Sequence, residues 1–78
     1  MAWTDGATQA QIGAWANLVK WSLPDVLVNE GCKFIENKLT RKQISEELGR
    51  IRELYIAHKL DEKSCFNSTV WDEFKAKQ

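Results

Sequence analysis

The chain has 78 residues, of which 44% are hydrophobic and 28% charged, and its eleven basic residues balance eleven acidic ones. This length leaves no room for separate catalytic and regulatory domains, and the composition excludes both intrinsic disorder and a disulfide scaffold. Because the net charge is zero, no long-range field would draw the molecule onto nucleic acid or an anionic membrane. We therefore expect one globular domain over residues 1–78.

Helix starts are marked by a recurring pattern, in which a hydroxyl residue is followed three positions later by a side chain that completes a capping box. The three instances are Thr8/Gln11, Ser22/Asp25 and Thr40/Gln43. Pro24 suits the first turn of the second helix, and Ser68 or Thr69 can cap a last one. The predicted helices cover residues 9–21, 24–37, 41–59 and 69–76.

Apolar residues recur at helical spacing within these segments, as expected for helices that bury one face. The first stripe contains Ile12, Trp15 and Val19, the second Val28, Cys32, Ile35 and Leu39, and the third Ile44, Leu48, Ile51, Tyr55 and His58. The segment 26–28 is β-branched enough for a strand, but no second β-rich segment offers it a partner. The pattern predicts an all-α, compact single-domain bundle of about four short helices.

The residues that usually carry catalysis or bind metals are sparse. The chain has one histidine and two cysteines that are far apart, and its four glycines are isolated, which provides neither a metal-ligand set nor a phosphate-binding loop. Cys65 follows His58 by seven residues, so an activated thiol is conceivable. We favour structural roles, because His58 and Cys32 continue apolar stripes. The prediction is a protein without enzyme activity, metal or cofactor.

No apolar run approaches membrane-spanning length, and residues 1–5 lack the basic and apolar stretches of a secretory signal. We therefore expect a cytoplasmic protein with reduced cysteines and no membrane partner. A chain this compact would also suit a phage or other mobile element.

One segment resembles the first helix and turn of a helix-turn-helix unit. In Ile44–Gly49 a small residue follows an apolar one, and a glycine stands where the turn would open. The next position, usually apolar in that motif, is Arg50, and the apolar stripe crosses the glycine without a change of phase. One continuous helix is therefore the prediction. The resemblance implies an alternative function, a DNA-binding regulator that would use Arg41, Lys42, Arg50 and Arg52.

A continuous third helix has a second strip beside its core stripe, formed by Ser45, Gly49, Arg52 and Ile56. Its two small residues would let another backbone approach closely, either helix one or two of the same domain or an external partner. A further alternative is a structural subunit that self-associates, burying this strip in a homodimer.

Four tryptophans are unusual in so short a chain, and four short helices cannot bury them all. Tryptophan is enriched at interface hot spots, although each could equally fold back as a lid over a small core. The leading hypothesis is a stand-alone protein-interaction module, an inhibitor or adaptor that binds a larger macromolecule, with a protein partner favoured over nucleic acid. Its predicted contact residues are Trp3, Arg52, Ile56 and Trp71.

Overall fold

The structure, a computed structural model, describes residues 5–76, and within them the regular elements are all helical. The elements are α1 (Gln9–Val19), α2 (Asp25–Lys38), α3 (Arg41–Ile56), α4 (Glu62–Cys65), a turn of 3-10 helix (Thr69–Trp71) and α5 (Asp72–Ala76). The domain measures 33 × 27 × 20 Å. This confirms the predicted all-α fold for the described part of the chain.

Two of the three predicted capping boxes are present. The Gln11 N–H donates to Thr8 Oγ1 at 3.1 Å, and Gln11 Oε1 accepts from the Thr8 N–H at 3.0 Å. The pair formed by Thr40 and Gln43 repeats this geometry at 3.2 and 2.8 Å. These reciprocal bonds satisfy backbone donors that have no partner within the first turn, and they fix the starts of α1 and α3.

The predicted box at Ser22 is wrong. Pro24 takes the N-cap position of α2 and makes no side-chain capping bond. The Ser22 hydroxyl instead donates to the carbonyl of Leu60 at 3.4 Å. A local cap is thus replaced by a contact that ties the turn after α1 to the segment after α3.

Two of the predicted helices end earlier than expected. Helix α1 ends at Val19 rather than 21, and α3 ends at Ile56 rather than 59. Beyond α3, His58 adopts a left-handed conformation with φ of 58°, and the Lys59 N–H donates to the Leu54 carbonyl at 2.8 Å. A second bond joins the His58 N–H to Tyr55 at 3.1 Å. This pair of bonds is a Schellman motif, which turns the chain out of the helix.

The carboxyl-terminal region contains one element more than predicted. Residues 61–64 lie outside the predicted helices, but Asp61 caps the short helix α4 by accepting from the Ser64 N–H at 2.7 Å. The helix predicted over 69–76 is divided between the 3-10 turn and α5.

Helix α1 lies at the centre of the domain and packs against both α2 and α3. It runs beside α3 in the same direction, since the Gln11 side chain near its start bonds the Arg41 carbonyl at 3.3 Å while Ser22 beyond its end bonds Leu60. At the start of α3, the Arg41 N–H also donates to the Asp5 carbonyl at 2.7 Å. Both helices therefore end on the same side of the molecule.

Five aromatic residues, here called the aromatic cluster, join the carboxyl-terminal elements to α1 and α2. They are Trp15, Phe34, Phe66, Trp71 and Phe74. Trp71 is at their centre, with its ring centroid 5.2 to 5.6 Å from each of the other four. Such offset and edge-to-face pairs add to the free energy of burial, so Trp71 anchors the last helices to the domain.

A buried ion pair fixes α4 against α3. Glu47 is only 4% exposed, and its carboxylate accepts from Arg50 Nη2 at 2.7 Å and Nε at 3.1 Å. The same guanidinium donates to the carbonyls of Ser64 at 2.5 Å and Cys65 at 3.3 Å. These carbonyls lie at the end of α4, where partial negative charge favours a cation.

Candidate functional site

The candidate site lies on the side of the molecule where α1 and α3 end. Three large apolar side chains are solvent-exposed there: Trp21 by 76%, Tyr55 by 44% and Ile56 by 69%. Trp21 is in the turn between α1 and α2, whereas Tyr55 and Ile56 form the last turn of α3. We call these three residues the exposed apolar surface.

A shallow depression of about 420 Å³ lies beside Trp21 and Tyr55. It is lined by Trp21, Ser22, Tyr55, His58 and Leu60. The bond from Ser22 to Leu60 holds its two sides together, and the Schellman motif at His58 brings the chain back across the end of α3. The depression is thus formed by backbone-fixed segments, although its rim side chains are exposed.

Cations border this surface. Lys20 Nζ is 5.1 Å from the centroid of the Trp21 ring, which is a cation–π distance. Arg52 is exposed and precedes Tyr55 by three residues and Ile56 by four, so helix geometry places it next to both. None of the residues lining the depression is acidic.

The nearby carboxylates are directed elsewhere. Asp61 follows Leu60 in the chain, but its carboxylate caps α4, and the hydrogen bond from the Ser64 N–H lowers the pKa of that carboxyl. Glu62 lines a different hollow, together with Leu27 and Phe66. Glu53 precedes Ile56 by three residues and is therefore next to it, on the side away from Tyr55, and it does not line the depression. None of these carboxylates lines the depression, whereas Lys20 contacts the ring of Trp21 at the edge of the depression.

The predicted contact residues differ in their exposure to solvent. Arg52 and Ile56 are exposed and lie at the candidate site. Trp71 is wrong as a surface contact, because it is fully buried in the aromatic cluster and is not available to a partner. Trp3 lies outside the described residues.

The strip of small residues on α3 faces solvent. A Cβ added at Gly49 would meet no atom within 4 Å, so no other helix of the described chain crosses α3 there. The expectation that α1 or α2 packs on this strip is wrong. Among its members, Arg52 and Ile56 reach the candidate site by their position near the end of the helix.

The helix-turn-helix alternative loses its structural basis. Helix α3 continues through Gly49, and the only positive φ among residues 5–76 is that of His58. Arg50 cannot serve as a phosphate contact in this conformation, because its guanidinium bonds Glu47, Ser64 and Cys65. Lys42 and Arg52 are exposed, and Arg41 is partly buried at the start of α3.

The cysteines are poorly suited to nucleophilic chemistry. Cys65 is fully buried, and desolvation raises the pKa of its thiol to about 11 despite the favourable charge of Arg50. Partial burial also raises the pKa of Cys32. Thiolates are the reactive form, so the raised pKa values disfavour reaction of both thiols near neutral pH, most strongly for the fully buried Cys65. Within residues 5–76, no three His, Cys, Asp or Glu side chains are grouped to hold a metal ion.

A second hollow, between α2 and α5, provides a useful contrast. Val26 is 71% exposed at its edge, but its other lining residues include the charged side chains of Glu30, Lys33 and Lys38. Its lining therefore includes a carboxylate and two ammonium groups, whereas the lining beside Trp21 contains none of these.

Sequence reasoning did not single out Trp21, which falls at the end of the helix predicted over residues 9–21. The available signal was Pro24, because a proline at a helix start leaves the preceding residues in a turn.

Comparisons with protein-family models, with curated proteins and with solved structures found no match to this chain. None of the described helices is long and apolar enough to cross a membrane.

Proposed function

We propose that this protein is a small interaction module that binds a protein partner through the exposed apolar surface. The observation that carries the proposal is the 76% exposure of Trp21 beside a depression it shares with Tyr55. Single exposed apolar residues are common in globular proteins and need no explanation. Three large ones at one end of so small a domain form a patch of the kind that binding partners cover.

Energetics favour the same surface. Burying a tryptophan removes about 150 to 250 Å² from water, and its two side-chain torsions cost little entropy when they are fixed. The domain already buries Trp15 and Trp71 completely, so its core does not depend on Trp21. A module of this kind acts by occupying another protein, as an inhibitor or adaptor does.

The test is quantitative affinity capture from a lysate of the source organism, performed with and without nuclease. The baits are the unchanged chain, a Trp21→Ala/Tyr55→Ala variant and a matched control, Val26→Ala, which also removes an exposed apolar side chain. We expect a protein that survives nuclease treatment, is retained by the control and is lost with the double variant. Capture that is identical for all three baits, or that disappears with nuclease, would contradict the proposal.

A further inference from the structure

The inference below rests on the proposed function and concerns the chemistry of the partner. We infer that the exposed apolar surface receives an acidic peptide segment, which inserts one large apolar side chain between Trp21 and Tyr55 and aligns carboxylates with Lys20 and Arg52. The juxtaposition of an aromatic depression with cations on its border is the basis of this assignment.

The size and lining of the depression indicate which apolar side chain the ligand carries. Its volume of about 420 Å³ suits one bulky side chain and some flanking backbone, and it is too shallow to enclose a whole helix. Trp21 and Tyr55 contribute aromatic rings to its lining, and Leu60 contributes an aliphatic side chain. An aromatic or leucine side chain would pack against all three and remove most of their exposed area from water.

The charged residues beside the depression indicate the polar part of the ligand. Lys20 and Arg52 are exposed cations, and none of the residues that line the depression is acidic: Asp61 caps α4, and Glu62 lines another hollow. A segment carrying Asp or Glu beside its apolar residue would meet complementary charge on this rim. Arg52 can also bind a carboxylate through two parallel hydrogen bonds. A basic segment would place like charges together and be rejected.

The same charges disfavour a second copy of this chain as the occupant. In a two-fold dimer each surface faces its own copy, so the Lys20 and Arg52 side chains of both copies would be gathered around one buried patch. That arrangement concentrates positive charge while removing solvent, which opposes association.

The experiment uses the full chain to select binders from a displayed library of short random peptides, after which the peptides selected most strongly are synthesised. Affinities are measured at low and high salt for the unchanged chain, for Trp21→Ala and for Lys20→Glu/Arg52→Glu. A Lys33→Glu/Lys42→Glu variant, which reverses two exposed lysines away from the site, is the matched control. A single-stranded oligonucleotide serves as a second probe.

We expect selected peptides that combine Asp or Glu with one large apolar residue and that lose binding with Trp21→Ala. Reversal of Lys20 and Arg52 should weaken their binding about tenfold, as should raised salt, while the control reversal changes it less than twofold. Peptides that need Trp21 but show no acidic preference would overturn this inference and leave the proposed function standing. Peptides that ignore Trp21 would overturn both.

Two further outcomes contradict the inference from other directions. Tighter Trp21-dependent binding of the oligonucleotide than of any peptide would assign the surface to base stacking with nucleic acid. Sedimentation as a dimer that Trp21→Ala dissociates would show that a second copy occupies the surface.

Discussion

Trp71 and Trp21 are the same residue type in opposite surroundings. Trp71 is fully buried, and four aromatic rings surround it within 5.6 Å, centroid to centroid. Trp21 is 76% exposed, and the Lys20 ammonium lies 5.1 Å from the centroid of its ring. The first holds the short carboxyl-terminal elements to α1 and α2, whereas the second contributes little to the domain that carries it.

This contrast separates residues that build the domain from residues available for binding. The elements around Trp71 are a three-residue turn and two helices of four and five residues, too short to persist without tertiary contacts. They need a large buried ring to hold them. The end containing Trp21 is already fixed by the backbone of two long helices. The stability of the domain therefore does not depend on the Trp21 side chain.

The largest predicted effect comes from removing the central ring of the aromatic cluster. Trp71→Ala should lower the free energy of unfolding by about 3 to 5 kcal/mol, because it leaves a large cavity and releases the last helices. Trp21→Ala should change it by less than about 0.5 kcal/mol. Urea denaturation followed by circular dichroism measures both. Equal losses of stability from the two variants would contradict the different structural roles assigned to Trp71 and Trp21.

A conservative variant sharpens this prediction. The indole N–H of Trp71 is buried and has no hydrogen-bond partner among the described residues, so it contributes a desolvation cost. Trp71→Phe removes that group while keeping an aromatic ring. We expect it to lose less than half as much stability as Trp71→Ala, and a loss equal to that of alanine would show that the indole N–H is satisfied.

The next largest effect concerns the attachment of α4. Arg50→Ala would leave the Glu47 carboxylate buried without its cation and would remove two bonds to the end of α4. We expect a loss of about 2 to 3 kcal/mol, less than is usual for a broken buried pair because the Arg50 side chain is 28% exposed. Chemical denaturation provides the measurement.

Thiol labelling tests whether that loss is local to α4. In a Cys32→Ser background, Cys65 is fully buried and its pKa is about 11, so it should react slowly with a disulfide reagent at pH 8. Arg50→Ala should speed this reaction by opening α4. Arg52→Ala, which removes an exposed arginine from the same helix, is the control and should leave the labelling rate unchanged. Unaltered labelling after Arg50→Ala would contradict the role assigned to the ion pair.

Two helical glycines distinguish a filled interior from an open surface. A Cβ at Gly31 would overlap the Trp15 ring, whereas a Cβ at Gly49 would meet nothing within 4 Å. Gly31→Ala should therefore cost about 1 to 2 kcal/mol net, since overpacking outweighs the better helix propensity of alanine. Gly49→Ala should gain about 0.5 to 1 kcal/mol. Thermal melts of both variants test the pair, and stabilisation by Gly31→Ala would contradict this packing of Trp15.

Local signals in the sequence predicted most of the framework. The boxes at Thr8 and Thr40 depend only on residues three apart, and the stripe residues Ile44, Leu48 and Ile51 are buried as expected. Failures occurred where a distant residue decides the outcome. Ser22 bonds Leu60, 38 residues away, instead of capping α2.

The candidate site was only half predictable for the same reason. Helix periodicity put Arg52 and Ile56 on one exposed strip, and they are exposed. No periodicity could show that Trp71 fills a cluster formed by α1, α2 and the terminal elements, or that Trp21 is left outside it. Tyr55 also continues the core stripe in sequence, but it lies in the last turn of α3 and is 44% exposed.

The smallest predicted effect lies at the exposed end and has opposite signs for stability and binding. His58 occupies the left-handed position of the Schellman motif with φ of 58°, a conformation that costs a residue with a Cβ about 1 kcal/mol relative to glycine. His58→Gly should therefore raise the free energy of unfolding by about 0.5 to 1 kcal/mol. His58→Ala keeps the strain and should not raise it.

Since the imidazole also lines the depression, both His58 variants should bind the partner more weakly than the unchanged chain. Urea midpoints and partner affinities for the two variants separate the contributions. Strain retained at a residue that faces a ligand is a common cost of a binding site. If His58→Gly and His58→Ala have equal stability, the left-handed turn does not end α3. If both keep full affinity, the depression beside Trp21 is not where the partner binds.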